Sequence, residues 1–391
     1  MKRKRSFNTA LLTTILASVG AILIGLFIGY LLLLATKSEY AFWGLRKILT
    51  VGISDPKKFA KVLYQAMPLI CTGLSVAFAF KTGLFNIGAT GQYTVGAFFA
   101  LFAGIQLQLP WYVAIVFAMI GGAIWGSIPG ICKALFNVNE VITSIMFNWI
   151  GVFAVNMAFQ NFPMLVVDYW GKSSVRDRTP ALADANPNAI LPKLGLDELM
   201  NSNLVNIGIF IAVIIAVIIW VILQKTTFGY EIKACGYNRD ASRYAGISAK
   251  RNIILSFTIA GALAGLGGGL YYLSGTGQYT FLKTLLAAGF NGIPVALLAN
   301  SHPIGVIASA LFISYIQVGG DALQPRFVRE NIDIIIGVII YVSAFALLLK
   351  IWFGKLFMRQ SLAASSMKDD GPIQTPQKGS MNSNEKEEKQ Q

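Results

Sequence analysis

The sequence predicts an all-α integral membrane protein with about ten transmembrane helices. Three observations predict it: 55% of the 391 residues are hydrophobic, only 13% are charged, and long apolar runs recur along the chain. A helix needs about 20 apolar residues to cross ~30 Å of hydrocarbon. A soluble protein of ordinary composition is far less apolar, so we count membrane spans instead of folding domains.

Ten apolar runs have the length, or nearly the length, of a membrane span. The last but two, 284–300, is separated from the next by Asn300 to Pro303 alone, which predicts a tight hairpin or two shortened helices. Broken backbone at membrane depth survives only where protein or water satisfies its polar groups. The ten runs cover residues 11–35, 62–80, 87–105, 111–131, 141–160, 204–223, 253–273, 284–300, 303–320 and 333–352.

The first run follows the basic cluster from Lys2 to Arg5, which should hold the N-terminus in the cytoplasm. Its apolar stretch exceeds the ~7 to 15 residues of a signal peptide, so we predict a retained anchor. An even number of spans places both termini in the cytoplasm. We therefore divide the chain into a cytoplasmic N-terminus, 1–10, a transmembrane domain, 11–353, and a disordered cytoplasmic tail, 354–391.

Two long hydrophilic segments follow from this topology. Residues 224–252, which we call the basic island, hold six Lys and Arg against Glu231 and Asp240, and are predicted to be cytoplasmic. Residues 161–203 are nearly neutral and are predicted to form an external loop. Residues 36–61 disagree with this scheme, because six Lys and Arg make them basic for an external loop.

The residues that membrane enzymes use for chemistry are scarce. The chain has one histidine, His302, and no HExxH motif, so we predict neither metal-binding nor catalytic residues. Its three cysteines, Cys71, Cys132 and Cys235, have no paired spacing. The net charge of +14 lies mostly at the ends of apolar runs, which membrane topology explains better than nucleic-acid binding.

Transport is the natural alternative, and its energy source is predicted to lie outside the chain. The nearest match to a phosphate-binding loop, Gly171-Lys172-Ser173, has Val166 where the first glycine is required. Ion-coupled carriers usually need ionisable groups at mid-membrane, and the predicted spans are nearly free of them. The basic island is then the place where a soluble energy source would connect.

The segment Gly229 to Gly269 contains the motifs Gly236-Tyr-Asn238, Gly246-Ile247 and a glycine-rich run from Ala260. It resembles the permeases of ABC importers for branched-chain amino acids, sugars and nucleosides. The resemblance implies a type II-like permease fold and an island that docks, as a coupling helix, on an ATP-binding subunit. The residues implied for this contact are Tyr237, Asn238, Arg239, Asp240, Arg243, Tyr244 and Gly246.

Three further stretches resemble the nucleoside branch, whose members work with basic membrane lipoproteins: Lys81 to Tyr93, Asn139 to Trp149, and Gly289 to Leu298 with the His-Pro-Ile-Gly that follows. Pro294 and Ala299 depart from this branch, where Ala and Gly are expected. The resemblance implies a second, related permease, a substrate-binding lipoprotein and a multi-pass location in the bacterial cell membrane. ATP would be bound by the partner subunit, with no cofactor in this chain.

Three uncharged amides and one aromatic residue near the third and fifth spans are candidates for a solute path. Phe85 and Asn86 precede the third span, Gln92 lies at its start, and Asn148 lies near the middle of the fifth. Amides supply donors and acceptors without the desolvation cost of a charge, which suits ribose hydroxyls and base edges. They could equally serve only to bridge helices. Glu140, Ser144, Asn148, Asn156 and Gln160 recur at multiples of four along the fifth span.

We therefore predict the transmembrane permease subunit of an ATP-driven ABC importer for nucleosides, which is not itself an enzyme. A sugar or branched-chain amino acid permease of the same family is one alternative. An ion-coupled secondary transporter is another. The ladder Gly261, Gly265 and Gly269 predicts close helix packing in the seventh span.

Overall fold

The computed structural model describes residues 2–171, 174–281 and 283–344. Within these ranges all regular elements are helices, and extended backbone pairs only in an isolated antiparallel bridge between Arg178 and Thr280. The all-α class is thus confirmed for this part of the chain. The predicted tail, 354–391, and the end of the last apolar run lie outside the described residues.

The α-helices are numbered in chain order, and short 3-10 turns and one π turn occur between them. They are α1 Lys2–Lys37, α2 Ala41–Ser54, α3 Pro56–Lys81, α4 Ala89–Leu101, α5 Trp111–Phe136, α6 Glu140–Asn161, α7 Leu182–Ala185, α8 Leu196–Leu199, α9 Gly208–Lys225, α10 Thr227–Tyr237, α11 Arg239–Tyr244, α12 Ala249–Leu273, α13 Ala287–Phe290, α14 Gly292–Leu298, α15 Pro303–Asp321 and α16 Arg329–Ala344.

Seven helical segments of the described ranges are long and apolar enough to cross a membrane. The run 87–105 gives the shorter helix α4, which continues into a π turn, Phe102–Gln106. The run 284–300 gives the pair of shortened helices α13 and α14, whereas 303–320 forms the full-length helix α15. The seven segments are Ile22–Ser54, Pro56–Lys81, Trp111–Phe136, Glu140–Asn161, Gly208–Lys225, Ala249–Leu273 and Pro303–Asp321.

The bundle has two ends, between which α3 extends. At one end the backbone after α3 packs against the basic island, where Gly83 meets Gly236. Near the other end of α3, the Lys61 ammonium pairs with Asp321 at 2.8 Å. We call the first the island end and the second the far end. Residues 162–207 form short helical turns that join residues 274–281 at the far end, where the Thr179 amide donates to the Tyr279 carbonyl at 2.9 Å.

Residues 36–61, which the predicted topology leaves as an external loop between two spans, are not a loop but mostly helical. They form a short 3-10 turn, α2 and the first turns of α3. Helix α2 buries Ala41, Gly44 and Ile48 against its neighbours α1, α3 and α15, while Phe42 stays exposed. The basic side chains have local partners: Lys47 lies over the Trp43 ring, and Lys61 pairs with Asp321. These two lysines are therefore explained by local packing as well as by membrane topology.

Close packing between α5 and α12 forms the centre of the bundle, and glycine makes it possible. A Cβ atom at Gly261 would overlap the carbonyl of Gly122, and one at Gly265 would overlap the carbonyl of Ala118. Small residues let helix backbones approach this closely, so the predicted close packing of the ladder is confirmed. Through α12 this pair also holds α3 and α4 in place.

Candidate functional site

The connection between α3 and α4, residues 82–88, is non-helical and lies inside the bundle; we call it the break. Helix α3 ends at Lys81 and α4 begins at Ala89, with a non-helical connection whose Gly83 has a φ of +71°. Thr82 and Asn86 in this connection are fully or almost fully buried. Backbone without helical hydrogen bonds at such a depth must be satisfied by other groups. The surrounding side chains show how this is done.

An amide pair lies at the centre of the break. Asn86 Nδ2 donates to Gln92 Oε1 at 2.8 Å and also to Ser75 Oγ at 2.9 Å, and Gln92 Nε2 donates back to Asn86 Oδ1 at 3.1 Å. Both amides are buried. Two of the predicted path residues therefore contact each other and satisfy much of each other's hydrogen-bonding capacity, as buried polar groups require.

Asn148 of α6 forms two hydrogen bonds with the backbone beside the same break. The Gly91 amide donates to Asn148 Oδ1 at 2.8 Å, and Asn148 Nδ2 donates to the Ile87 carbonyl at 3.1 Å. The first turn of a helix leaves its amides without helical partners, so this side chain supplies one for α4. The structure thus brings three predicted path residues together. The fourth, Phe85, is half-buried beside them and stacks on Phe80, with ring centroids 5.2 Å apart.

Two hydroxyls at the break retain free hydrogen-bonding capacity. Thr90 Oγ1 and Ser144 Oγ are buried and have no hydrogen-bond partner among the described residues. Ser144 lies beside Gly88, at the start of α4, and Thr90 packs against Gly289 of α13. Neither is one of the four predicted path residues, although Ser144 lies on the polar stripe of α6 and Thr90 is a polar residue of the predicted third span. An unpaired buried hydroxyl is costly, so each of these two hydroxyls can gain a hydrogen bond from a polar group that enters the cluster.

Three of the five polar residues that recur along α6 face the interior of the bundle. Ser144, Asn148 and Asn156 are buried, and Asn156 Oδ1 accepts a hydrogen bond from the Tyr279 hydroxyl at 3.3 Å. The opposite face of α6 is apolar and exposed, and it carries Trp149 and Phe153. Helix α6 therefore contacts the bundle, chiefly α4 and α5, through a seam that holds uncharged polar groups along much of its length.

The basic island folds into the two short helices α10 and α11. Thr226 caps α10 by accepting a hydrogen bond from the Gly229 amide at 3.1 Å, and Asn238 caps α11 by accepting one from the Ala241 amide at 3.0 Å. Such caps satisfy helix-start amides that lack helical partners. Asn252 of α12 donates to Glu231 at 3.2 Å and ties the island to the bundle. Asn238 thus has a structural role within the predicted contact set.

The predicted docking residues divide between two directions. Tyr237 and Tyr244 are 92% and 95% exposed and project from the island. Arg239 and Arg243 instead line a cleft beside the end of α5. Gly246 has a φ of +79°, which the turn into α12 requires and which glycine adopts without strain.

Neither the histidine nor the acidic residues form a metal centre in the described part of the chain, where no group of three or more His, Cys, Asp or Glu could hold an ion. His302 instead precedes α15 as its N-cap residue, and its Nδ1 accepts a hydrogen bond from the Gly305 amide at 3.4 Å. Burial, with a smaller effect of the charge on Lys81, lowers the pKa of His302. A neutral imidazole suits this capping role, because only the neutral ring is an acceptor.

Comparison with known proteins matches residues 59–344 to the family "Branched-chain amino acid transport system / permease component". The guanosine ABC transporter permease protein NupP of Bacillus subtilis is 36% identical over 88% of this chain and 97% of its own length. The nucleoside ABC transporter permease protein NupB of Lactococcus lactis is 38% identical over 81% and 87%. The glucose ABC transporter permease protein TsgB13 of Haloferax volcanii is 31% identical over 68% and 70%. No match was found among solved structures.

Proposed function

Since the chain belongs to the family of branched-chain amino acid transport system permease components, a family of multi-pass membrane proteins, we propose that it is the permease subunit of an ATP-driven ABC importer for nucleosides. The observation that carries this proposal is its similarity to two relatives named for nucleoside transport, at 36% and 38% identity over more than four fifths of the chain. The uncharged polar cluster at the α3–α4 break supports it.

The solute path is proposed to pass the break, with Phe85, Asn86, Gln92 and Asn148 beside it. In the present conformation α6 closes this region, and the hydroxyls of Thr90 and Ser144 remain available. Separation of α6 from α4 would expose the side-chain amides of the cluster and these two hydroxyls to a solute. A neutral nucleoside, with hydroxyls and base edges, can pair with such groups.

The chemistry of the break disfavours a free amino acid as cargo. Residues 82–92 contain no charged side chain. The buried side chains that contact them from α3 and α6 are also uncharged: Ser75, Ser144 and Asn148. A zwitterion moved into such an environment would leave two charges unpaired, which is costly. A sugar would not meet this obstacle. The similarity to a glucose permease therefore keeps a sugar as the second candidate cargo.

Energy is proposed to enter at the island, where Tyr237, Asn238, Arg239, Asp240, Arg243, Tyr244 and Gly246 would contact an ATP-binding subunit. The contact between Gly236 and residues 81–83 supports this route, because it joins the island to the start of the break. ATP would bind to the partner subunit. An ion-coupled mechanism has less support, because the α3–α4 break holds no carboxylate or ammonium group.

The proposed topology has ten membrane crossings, with both termini and the island in the cytoplasm. Helix α4, the pair α13–α14 and α16 would supply the crossings beyond the seven long segments. The turns at the far end, residues 162–207, would then face outwards, where a substrate-binding lipoprotein delivers solute. A second, related permease would complete the membrane part of the complex.

Uptake tests the cargo directly. Cells that produce this chain with its partner subunits, and matched cells that lack it, are given labelled guanosine, uridine, ribose, glucose and leucine. We expect the chain to increase uptake of the nucleosides alone. Uptake of leucine without nucleosides would contradict the proposal, and uptake of glucose or ribose without nucleosides would replace it with the sugar alternative.

A further inference from the structure

A basic cleft of about 530 Å³ opens at the island end, between the end of α5 and the start of α12. Four cationic side chains line it: Lys133 from α5, Arg239 and Arg243 from α11, and Lys250 from α12. Arg239, Arg243 and Lys250 are close in sequence, and the fold brings Lys133, about a hundred residues earlier, beside them. A concave site with several positive charges of this kind is suited to an anion.

Most of this positive charge is not neutralised by the protein. Lys133 pairs with Glu140 at 2.9 Å. Arg239, Arg243 and Lys250 make no ion pair within the described ranges, and no carboxylate lines the cleft. The first residues of the 25-residue helix α12 also line it, and a helix start adds a favourable potential for an anion.

Apolar side chains adjoin the cleft on the outside of the bundle. Leu135 lines it and is 55% exposed, and the next residue, Phe136, is 72% exposed. Ile131, one turn earlier on α5, and Ile142, at the start of α6, are exposed as well. These residues lie at the ends of two helices that are long and apolar enough to cross a membrane. A basic cleft therefore lies where an apolar membrane-facing surface ends.

We propose that this cleft binds the phosphate of an anionic phospholipid, whose acyl chains lie along the exposed faces of α5 and α6. A soluble phosphate compound would use the cationic side chains but not the apolar strip, whereas a lipid uses both. The cleft adjoins the proposed docking surface for the ATP-binding subunit and shares Arg239, Arg243 and Gly246 with it, whereas Tyr237 and Tyr244 project from the island, and Lys133 and Lys250 belong to the cleft alone. The proposal requires only that the chain lies in a membrane, and it is independent of the solute carried.

Two matched double variants test the proposal with the purified full chain and no partner subunit. Lys133→Gln with Lys250→Gln removes two charges from the cleft, and Lys225→Gln with Arg251→Gln removes two exposed charges from the same end that do not line it. Binding of fluorescent phosphatidylglycerol is measured in detergent. We expect roughly 30-fold weaker binding for the cleft variant, from the usual contribution of two basic residues, and near wild-type binding for the control.

Competition separates the lipid from other sources of phosphate. Unlabelled phosphatidylglycerol should displace the probe, whereas phosphatidylcholine, glycerol 3-phosphate and inorganic phosphate should not. Displacement by the soluble phosphates at similar concentration would overturn the lipid assignment in favour of a general anion site. Equal loss in both double variants would overturn the cleft as the site, since surface charge alone would then explain binding.

A second measurement needs no variant and guards against misfolding. A photoactivatable phosphatidylglycerol is cross-linked to the wild-type chain, and the modified peptides are identified by mass spectrometry. We expect labels within residues 131–142 and 246–253. Labels spread evenly over all exposed apolar helices would contradict a defined site.

Discussion

Gly83 and Gly236 pack backbone against backbone where the basic island meets the break between α3 and α4. A Cβ atom at Gly83 would lie 3.2 Å from the Gly236 carbonyl oxygen, and one at Gly236 would lie 3.1 Å from the Gly83 nitrogen and would overlap the Lys81 carbonyl. The island, the proposed site of energy input, therefore contacts the connection that leads to the buried amide cluster. Both glycines are exposed and their backbones are in contact, so we expect movement of the island to shift this connection.

Substitution of Gly236 by alanine should weaken this coupling. The added methyl group meets the Lys81 carbonyl, and overpacking of this kind costs about 1–3 kcal/mol. We expect substrate-stimulated ATP hydrolysis by the assembled complex to fall by about tenfold, which corresponds to ~1.4 kcal/mol. Gly337→Ala is the matched control, because open space surrounds Gly337. Unchanged stimulation in Gly236→Ala would remove this contact from the coupling route.

Asn148 should be essential for the stability of the break. Replacement by leucine keeps the approximate volume but leaves the Gly91 amide and the Ile87 carbonyl without their partner, at about 1–3 kcal/mol for each group. We expect a lower melting temperature in detergent and loss of uptake. Asn161→Leu, an exposed amide at the end of the same helix, should melt like the wild type. Equal melting temperatures of the two variants would show that the hydrogen bonds of Asn148 contribute little to stability.

Tyr237 and Tyr244 should carry much of the affinity for the ATP-binding subunit. Exposed aromatic side chains are common hot spots of interfaces, and both project from the island. The double change to alanine should weaken binding of the purified ATP-binding subunit by at least about tenfold. Tyr112→Ala, which removes an exposed tyrosine from the opposite end of α5, is the control. If both variants bind the subunit equally, the tyrosines lie outside the interface.

His302 should make stability dependent on pH in the acidic range. Its folded-state pKa is lowered below the ordinary value of 6.5, so the neutral form is favoured and the stabilisation is present above that pH. Protonation as the pH falls removes the acceptor for the Gly305 amide and should lower the melting temperature. His302→Asn keeps a capping acceptor without titrating, and its melting temperature should fall less between about pH 7.5 and 5.5. Parallel pH profiles for the two proteins would contradict this role.

The sequence predicts long apolar helices well, because length and composition determine them. It does not reveal helices and contacts that form only through tertiary packing. The apolar pattern does not reveal helix α2, because Arg46 and Lys47 interrupt it and the small residues that the helix buries, Ala41 and Gly44, give no signal by themselves. The amides Asn86, Gln92 and Asn148 stand out as polar groups in apolar surroundings. That they pair with one another and with a broken backbone follows only from the tertiary fold.

The island shows the same limit at shorter range. Tyr237 and Arg239 are two residues apart, yet one projects into solvent and the other lines a cleft with Lys133 of a distant helix. A helix start at Arg239, fixed by the Asn238 cap, decides these directions. Spacing alone could not show which side chains of the island project into solvent and which line the cleft, since neighbouring side chains of a charged segment look alike in sequence.

ATP-driven nucleoside transport in proteoliposomes tests the central claim most directly. The chain is reconstituted with its ATP-binding subunit, second permease and substrate-binding lipoprotein. Uptake of labelled guanosine and uridine is followed in one arm with ATP and no ion gradient, and in the other with an ion gradient and no ATP. We expect uptake that requires ATP and is abolished by Arg239→Glu with Arg243→Glu in the island. Uptake driven by an ion gradient alone, in the absence of ATP, would contradict it.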